Sequence, residues 1–131
     1  MTGRVGRIVV AILGVDQHEA GALSAAALLR DAGFEVIYLG RFNAPSAVVA
    51  AALAEDADVI GISTHSWEYL EYLDELKRLI ADAGLDTPLV IGGSVVTPDD
   101  ERSLKERGVA ATFGPGSSPS DITSQVRALI R

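Results

Sequence analysis

Apolar residues along this chain fall by turns into short solid runs and into helical stripes. Residues 7–13 (RIVVAIL) are largely apolar and β-branched without alternation, which predicts a parallel strand buried on both faces. Residues 21–32 are rich in alanine and leucine and stop at Gly33, which predicts a helix with a C-terminal glycine. The same exchange repeats, with strands predicted at 34–39 (FEVIYL), 59–64 (VIGIST), 88–91 (PLVI) and 110–113, and helices at 45–55, 67–83, 98–107 and 120–130. Within 67–83, Leu70, Leu73, Leu76 and Ile80 recur at spacings of three, three and four, an amphipathic stripe that ends at Gly84. Five strands, each followed by a helix, predict one doubly wound α/β domain over residues 1–131. Its five-stranded parallel sheet is expected to have helices on its faces and right-handed crossovers.

Composition narrows the partners more than the fold. The chain has 131 residues, 48% of them hydrophobic and 22% charged, which suits a single core and argues against disorder. A net charge of −7 argues against nucleic acid and anionic membranes. With no cysteine there is no disulfide framework, no thiolate zinc site and no cysteine nucleophile. No internal repeat, low-complexity tract or linker interrupts the pattern, and no apolar run is long enough for a signal or membrane helix, so a cytoplasmic protein is expected.

Unusual residues collect where the strands end. Gly14-Val15-Asp16-Gln17-His18 follows the first strand and leads through Glu19 and Ala20 to Gly21. In an extended loop, side chains two apart point the same way, so Asp16 can accept a hydrogen bond from one ring nitrogen of His18 while the other faces a metal. Ser63, Thr64, His65 and Ser66 stand at the end of the third strand, Gly92, Gly93 and Ser94 at the fourth, and Phe113, Gly114, Pro115, Gly116 and Ser117 at the fifth. In open α/β sheets ligands bind beyond these carboxyl ends. Each cluster taken singly has a plainer reading. Asp-x-His-x-x-Gly also suits a solvated strand-to-helix loop, Gly92-Gly93 a tight turn, and Ser63 a hydroxyl bonded to its own backbone.

Taken together, Asp16, His18 and Gly21, then Ser63, then Gly92 and Gly93, resemble the cobalamin-binding domain of adenosylcobalamin-dependent carbon-skeleton mutases such as methylmalonyl-CoA mutase and glutamate mutase. The resemblance covers nearly the whole chain and implies a flavodoxin-like, Rossmann-type fold. It implies that His18 is the lower axial ligand to the corrin cobalt, that Asp16 orients it, and that the displaced nucleotide tail is buried between sheet and helices. Ser63 would bond the tail base, Gly92 and Gly93 would give it room, and residues 114–117 would close over it. The family's Ser-x-Leu reads Ser63-Thr64-His65 here, so His65 stands where leucine is expected. The resemblance further implies that this chain supplies adenosylcobalamin while a larger barrel subunit binds substrate. Residues such as RIVVA and FGPG lean toward the acyl-CoA mutases, with a glutamate mutase small subunit as the alternative.

Other doubly wound proteins fit less well. A receiver domain needs a phosphorylatable aspartate after the third strand and a lysine after the fifth, where this chain has Ser63 and Gly114. A flavodoxin-like electron carrier needs a phosphate loop where Asp16 would set a carboxylate. A methyl-transfer corrinoid carrier or a cobalamin sensor would use the same Asp16 and His18 beneath a helical cap. The six residues ahead of the first strand are too few to fold as one, which favours the mutase subunit.

Overall fold

The computed structural model describes residues 6–13, 19–64, 69–94 and 96–130. In chain order the elements are β1 (Arg7–Leu13), α1 (Ala20–Asp31), β2 (Glu35–Asn43), α2 (Pro45–Ala54), β3 (Val59–Ser63), α3 (Tyr69–Asp82), β4 (Leu89–Gly92), α4 (Pro98–Glu106), β5 (Ala111–Phe113) and α5 (Pro119–Leu129). All five strands pair in parallel in the order β2-β1-β3-β4-β5. This flavodoxin-like order places the topological switch between β1 and β3, where neighbouring crossovers leave on opposite faces and open a crevice.

Side chains alternate across the sheet and build two cores. Val9, Ala11, Ile60, Ile62, Leu89 and Ile91 face α2, α3 and α4, meeting Val48, Leu73, Leu76 and Leu104. Ile8, Val10, Val59, Val90, Ala111 and Phe113 face the other way, where Ala26 and Leu29 of α1 and Val126 of α5 cover them. Two of the helices begin with strong local signals. Thr97 and Asp100 form a reciprocal capping box ahead of Pro98, and the Ser118 hydroxyl accepts from the Asp121 amide ahead of Pro119. Among the described residues no helix is long and apolar enough to cross a membrane.

Two predicted features change. On α3 the buried positions are Tyr69, Leu73, Leu76 and Ile80, whereas Leu70 is 37% exposed. A side chain four residues before Leu73 stacks on its face, so Tyr69 rather than Leu70 completes the stripe. The predicted helical residues 67 and 68 lie outside the described set. The second strand, expected to stop at Leu39, continues to Asn43 through two shifts of register against β1. Gly40 (φ +78°) and Phe42 (φ +64°) make the turns this bulged edge needs. Asn43 then pins it, its Nδ2 donating to the Ile12 carbonyl at 3.1 Å and to the Gly40 carbonyl at 2.7 Å.

Candidate functional site

At the carboxyl edge of the sheet, on the face covered by α1 and α5, lies a cavity of about 300 Å³. Small residues on both sides create it. Gly21, Ala25 and Leu29 recur every four residues along α1 and present a mostly shallow face. Opposite them, Gly61 interrupts the row of β-branched residues in β3, between Val10 of β1 and Val90 of β4. A Cβ on Gly61 would meet the Val90 and Val10 side chains and the Val9 carbonyl only at 3.6–3.8 Å, so packing does not demand a glycine there. The missing side chain leaves the floor of the groove open. Ile122 and Val126 of α5 and Phe113 of β5 form the far wall.

Glycines at the strand ends do a different job. A Cβ on Gly93 would sit 1.6 Å from the Thr64 carbonyl oxygen, and its φ of +152° lies where side chains rarely go, so β3 and β4 can end side by side only with glycine there. A Cβ on Gly114 would lie 2.7 Å from the Val96 carbonyl oxygen, and one on Gly92 would press on Phe113 at 3.3 Å. These three bring backbone together, while Gly61 makes space. Ser63 supplies a polar group to an otherwise apolar wall: it is 8% exposed, and among the described residues nothing hydrogen-bonds its hydroxyl.

The residues singled out in the sequence separate accordingly. Gly21, Ser63, Gly92, Gly93, Ser94, Phe113, Gly114 and Pro115 all line the cavity. Thr64 is buried, its amide donating to the Gly92 carbonyl at 2.8 Å, and it does not line the groove. Gly116 and Ser117 sit in the turn beyond it, where the Ser117 amide donates to the Gly114 carbonyl at 3.1 Å. Gly14, Val15, Asp16, Gln17, His18 and His65 lie outside the described residues. Sequence reasoning missed Gly61 and Ala25. A glycine in the middle of a central strand was the available signal for the first, because it weakens a strand unless something must approach it closely.

Beside the mouth of the groove, where α1 begins, is a polar cluster. The Tyr38 hydroxyl donates to Glu19 Oε2 at 2.6 Å, and Arg41 Nε lies 3.5 Å from Glu19 Oε1. Burial, reinforced by this bond and by the Glu19 charge, pushes the Tyr38 phenol up to about 12. It therefore remains a donor at neutral pH.

A groove of about 300 Å³ sits at the low end of small-molecule pockets, which run roughly 300–1,000 Å³, and its lining is mostly apolar. Comparison with known proteins identifies the family. The model of the B12 binding domain matches residues 6–122. The chain is 33% identical over 124 residues to the 2-hydroxyisobutanoyl-CoA mutase small subunit of Aquincola tertiaricarbonis, a match covering 95% of this chain and 91% of that one. It is 37% identical over 123 residues to the pivalyl-CoA mutase small subunit of Xanthobacter autotrophicus, covering 94% and 82%. In fold it is similar to a cobalamin-binding protein from Desulfitobacterium hafniense, with a TM-score of 0.82 at 21% identity over 98% of this chain and 60% of that chain. Matched along nearly all its length by the family model and by two small subunits, the chain belongs to the B12-binding domain family.

Proposed function

We propose that this chain is the cobalamin-binding small subunit of an adenosylcobalamin-dependent acyl-CoA mutase. The groove between the sheet and helices α1 and α5, floored by Gly61, is the observation that carries this reading. Both small-subunit relatives belong to CoA mutases, which favours an acyl-CoA substrate over an amino acid. By the same likeness the partner is a larger subunit that holds the substrate.

Each residue's part follows from its chemistry and place. The apolar walls, Val10, Val90, Ile122 and Val126 among them, take up the nucleotide tail base, and burial of its apolar surface contributes at about 25 cal/mol per Å². The Ser63 hydroxyl would meet a polar atom of that base, because a ring nitrogen buried unpaired would cost about 1–3 kcal/mol. His18 would hold the cobalt through one imidazole nitrogen, and Asp16 would accept a hydrogen bond from the other, fixing the tautomer. Residues 14–17, His65 and Ser94, with Gly114 and Pro115, would border the tail and the corrin edge, Thr64 would support them from behind, and Gly116 and Ser117 would form the turn beyond. When bound, adenosylcobalamin supplies radical chemistry through its cobalt–carbon bond.

Equilibrium dialysis of the purified chain against hydroxocobalamin and adenosylcobalamin, read with optical spectra and repeated with His18→Ala, tests this. Retained corrinoid with a displaced tail and a spectrum that depends on His18 is expected. Spectra unchanged in His18→Ala would remove the axial-ligand assignment. No retention, even with a large acyl-CoA mutase subunit present, would remove the cofactor-binding reading.

A further inference from the structure

Glu19 occupies the N-cap of α1, yet its side chain caps nothing on that helix. Glutamate is a poor N-cap, and this one reaches sideways to the edge strand instead. There it receives the Tyr38 hydroxyl at 2.6 Å, a short charge-assisted bond, with Arg41 Nε at 3.5 Å on its other oxygen. The strand is shaped to make this possible. Arg41 lies within the stretch of β2 where the register against β1 shifts, and a Cβ on the neighbouring Gly40 would lie 4.0 Å from Glu19 Oε2. Asn43 fixes the bulge to β1 through the Ile12 carbonyl. Glu19 also anchors the helix through its carbonyl, which accepts the Leu23 amide at 3.0 Å. Its backbone and its carboxylate are thus tied to two different elements, α1 and β2.

His18 precedes Glu19 directly, and consecutive Cα atoms are about 3.8 Å apart, so whatever fixes Glu19 fixes one end of the residue before it. We propose that Glu19, Tyr38 and Arg41 form a clamp that sets the position of His18, acting as positioning residues for axial ligation. This rests on the reading of His18 as the cobalt ligand. The arrangement serves the role an outer-shell partner plays in a metal site, here exerted through the backbone rather than through the imidazole. None of the three clamp residues lines the tail groove, whose walls include Gly21, Ala25, Gly61 and the α5 residues. Loosening it should therefore separate ligation from retention of the cofactor.

The experiment compares Tyr38→Phe, Glu19→Ala, Glu19→Gln and His18→Ala with the parent chain, after circular dichroism and thermal melting confirm that each is folded. Two readouts are taken. The first is the nitrogen splitting in the electron paramagnetic resonance spectrum of cob(II)alamin bound to 15N-histidine-labelled chain, where a two-line pattern marks a protein imidazole and a three-line pattern the cofactor's own base. The second is amide exchange of the 14–20 segment without cofactor. In Tyr38→Phe and Glu19→Ala the nitrogen-ligated fraction should fall about tenfold relative to other coordination, and exchange should quicken about tenfold, as loss of one hydrogen bond to a charged group predicts. Corrinoid retention should change less than threefold. Glu19→Gln, whose carboxamide oxygen still accepts from Tyr38, should restore most of both signals. Nitrogen splitting lost in His18→Ala but intact in Tyr38→Phe and Glu19→Ala would overturn the clamp and leave the ligand assignment standing. Two-line splitting that persists in His18→Ala, or its absence from the parent chain, would overturn the ligand assignment, and the clamp with it.

Discussion

The two faces of the sheet share strands and alternation, yet one is filled and the other is left with a groove. Under α2, α3 and α4 the face is filled largely by big aliphatic side chains, with Ile60, Leu73, Leu76, Ile91 and Leu104 at most 1% exposed. Under α1 and α5 the row Val10, Gly61, Val90 is broken at its centre, and α1 answers with Gly21 and Ala25. A well-packed interior would not forgo those contacts, since each buried methylene contributes about 0.8 kcal/mol. The filled face therefore carries more of the packing, and the grooved face leaves open the space that the proposed ligand would fill.

The largest effect that would break this division is on the filled side. Leu76→Ala removes a fully buried side chain and should destabilise the chain by about 2–5 kcal/mol, measured by urea denaturation. Corrinoid affinity of the molecules that remain folded should be unchanged. A large loss of affinity in that folded fraction would mean the two faces are not independent.

Gly61→Val sharpens the comparison from the other side. Its Cβ meets only ordinary contacts, and valine suits a central strand better than glycine, so stability should stay within about 1 kcal/mol of the parent or rise. The extra methyls enter the groove, and affinity for cobalamin should fall roughly tenfold to a hundredfold, the ~1–3 kcal/mol that overpacking costs. Gly92 is a poorer probe of the same space. A side chain there presses on Phe113 at 3.3 Å, so a loss of binding could follow from a disturbed β5. Normal affinity in a folded Gly61→Val would contradict the tail pocket.

That distinction marks how far the sequence could be read. All five strands and helices announce themselves through local runs, stripes and caps, because each element's periodicity is set within its own residues. The extension of β2 does not, since the predicted strand ends at Leu39 and its continuation rests on the long-range pairing of Leu13 with Asn43. Within the site, glycines at strand ends are conspicuous, and Gly92, Gly93 and Gly114 do lie on the groove. Their contacts show that the conspicuous ones close backbone together, while Gly61, hidden in an ordinary apolar strand, opens the space. Ala25 carries no local mark at all, because an alanine in a helix is what propensity alone would choose. The Asp16–His18 motif is legible in sequence and lies outside the described residues.

A smaller contrast between the faces is written in two tyrosines. Tyr38 packs on the grooved face with its hydroxyl bonded to Glu19, whereas Tyr69 is buried in the filled face and its hydroxyl has no partner among the described residues. Burial raises both phenols, with the Glu19 bond adding to it for Tyr38 and the Asp100 charge for Tyr69. Tyr69→Phe should thus cost nothing and gain up to about 1 kcal/mol, since it removes an unsatisfied polar atom. For Tyr38 the sign of the alkaline effect follows from the value of about 12 against the ordinary 10. Between those limits the folded chain keeps a proton that the unfolded chain releases, so its contribution to stability is complete below pH 10 and drains away as pH rises toward 12. Ultraviolet titration of the three tyrosines should lose its step near pH 12 in Tyr38→Phe, and in Glu19→Ala that step should move down. A step unmoved in Glu19→Ala would mean that burial alone raises the phenol and that the bond to Glu19 contributes nothing.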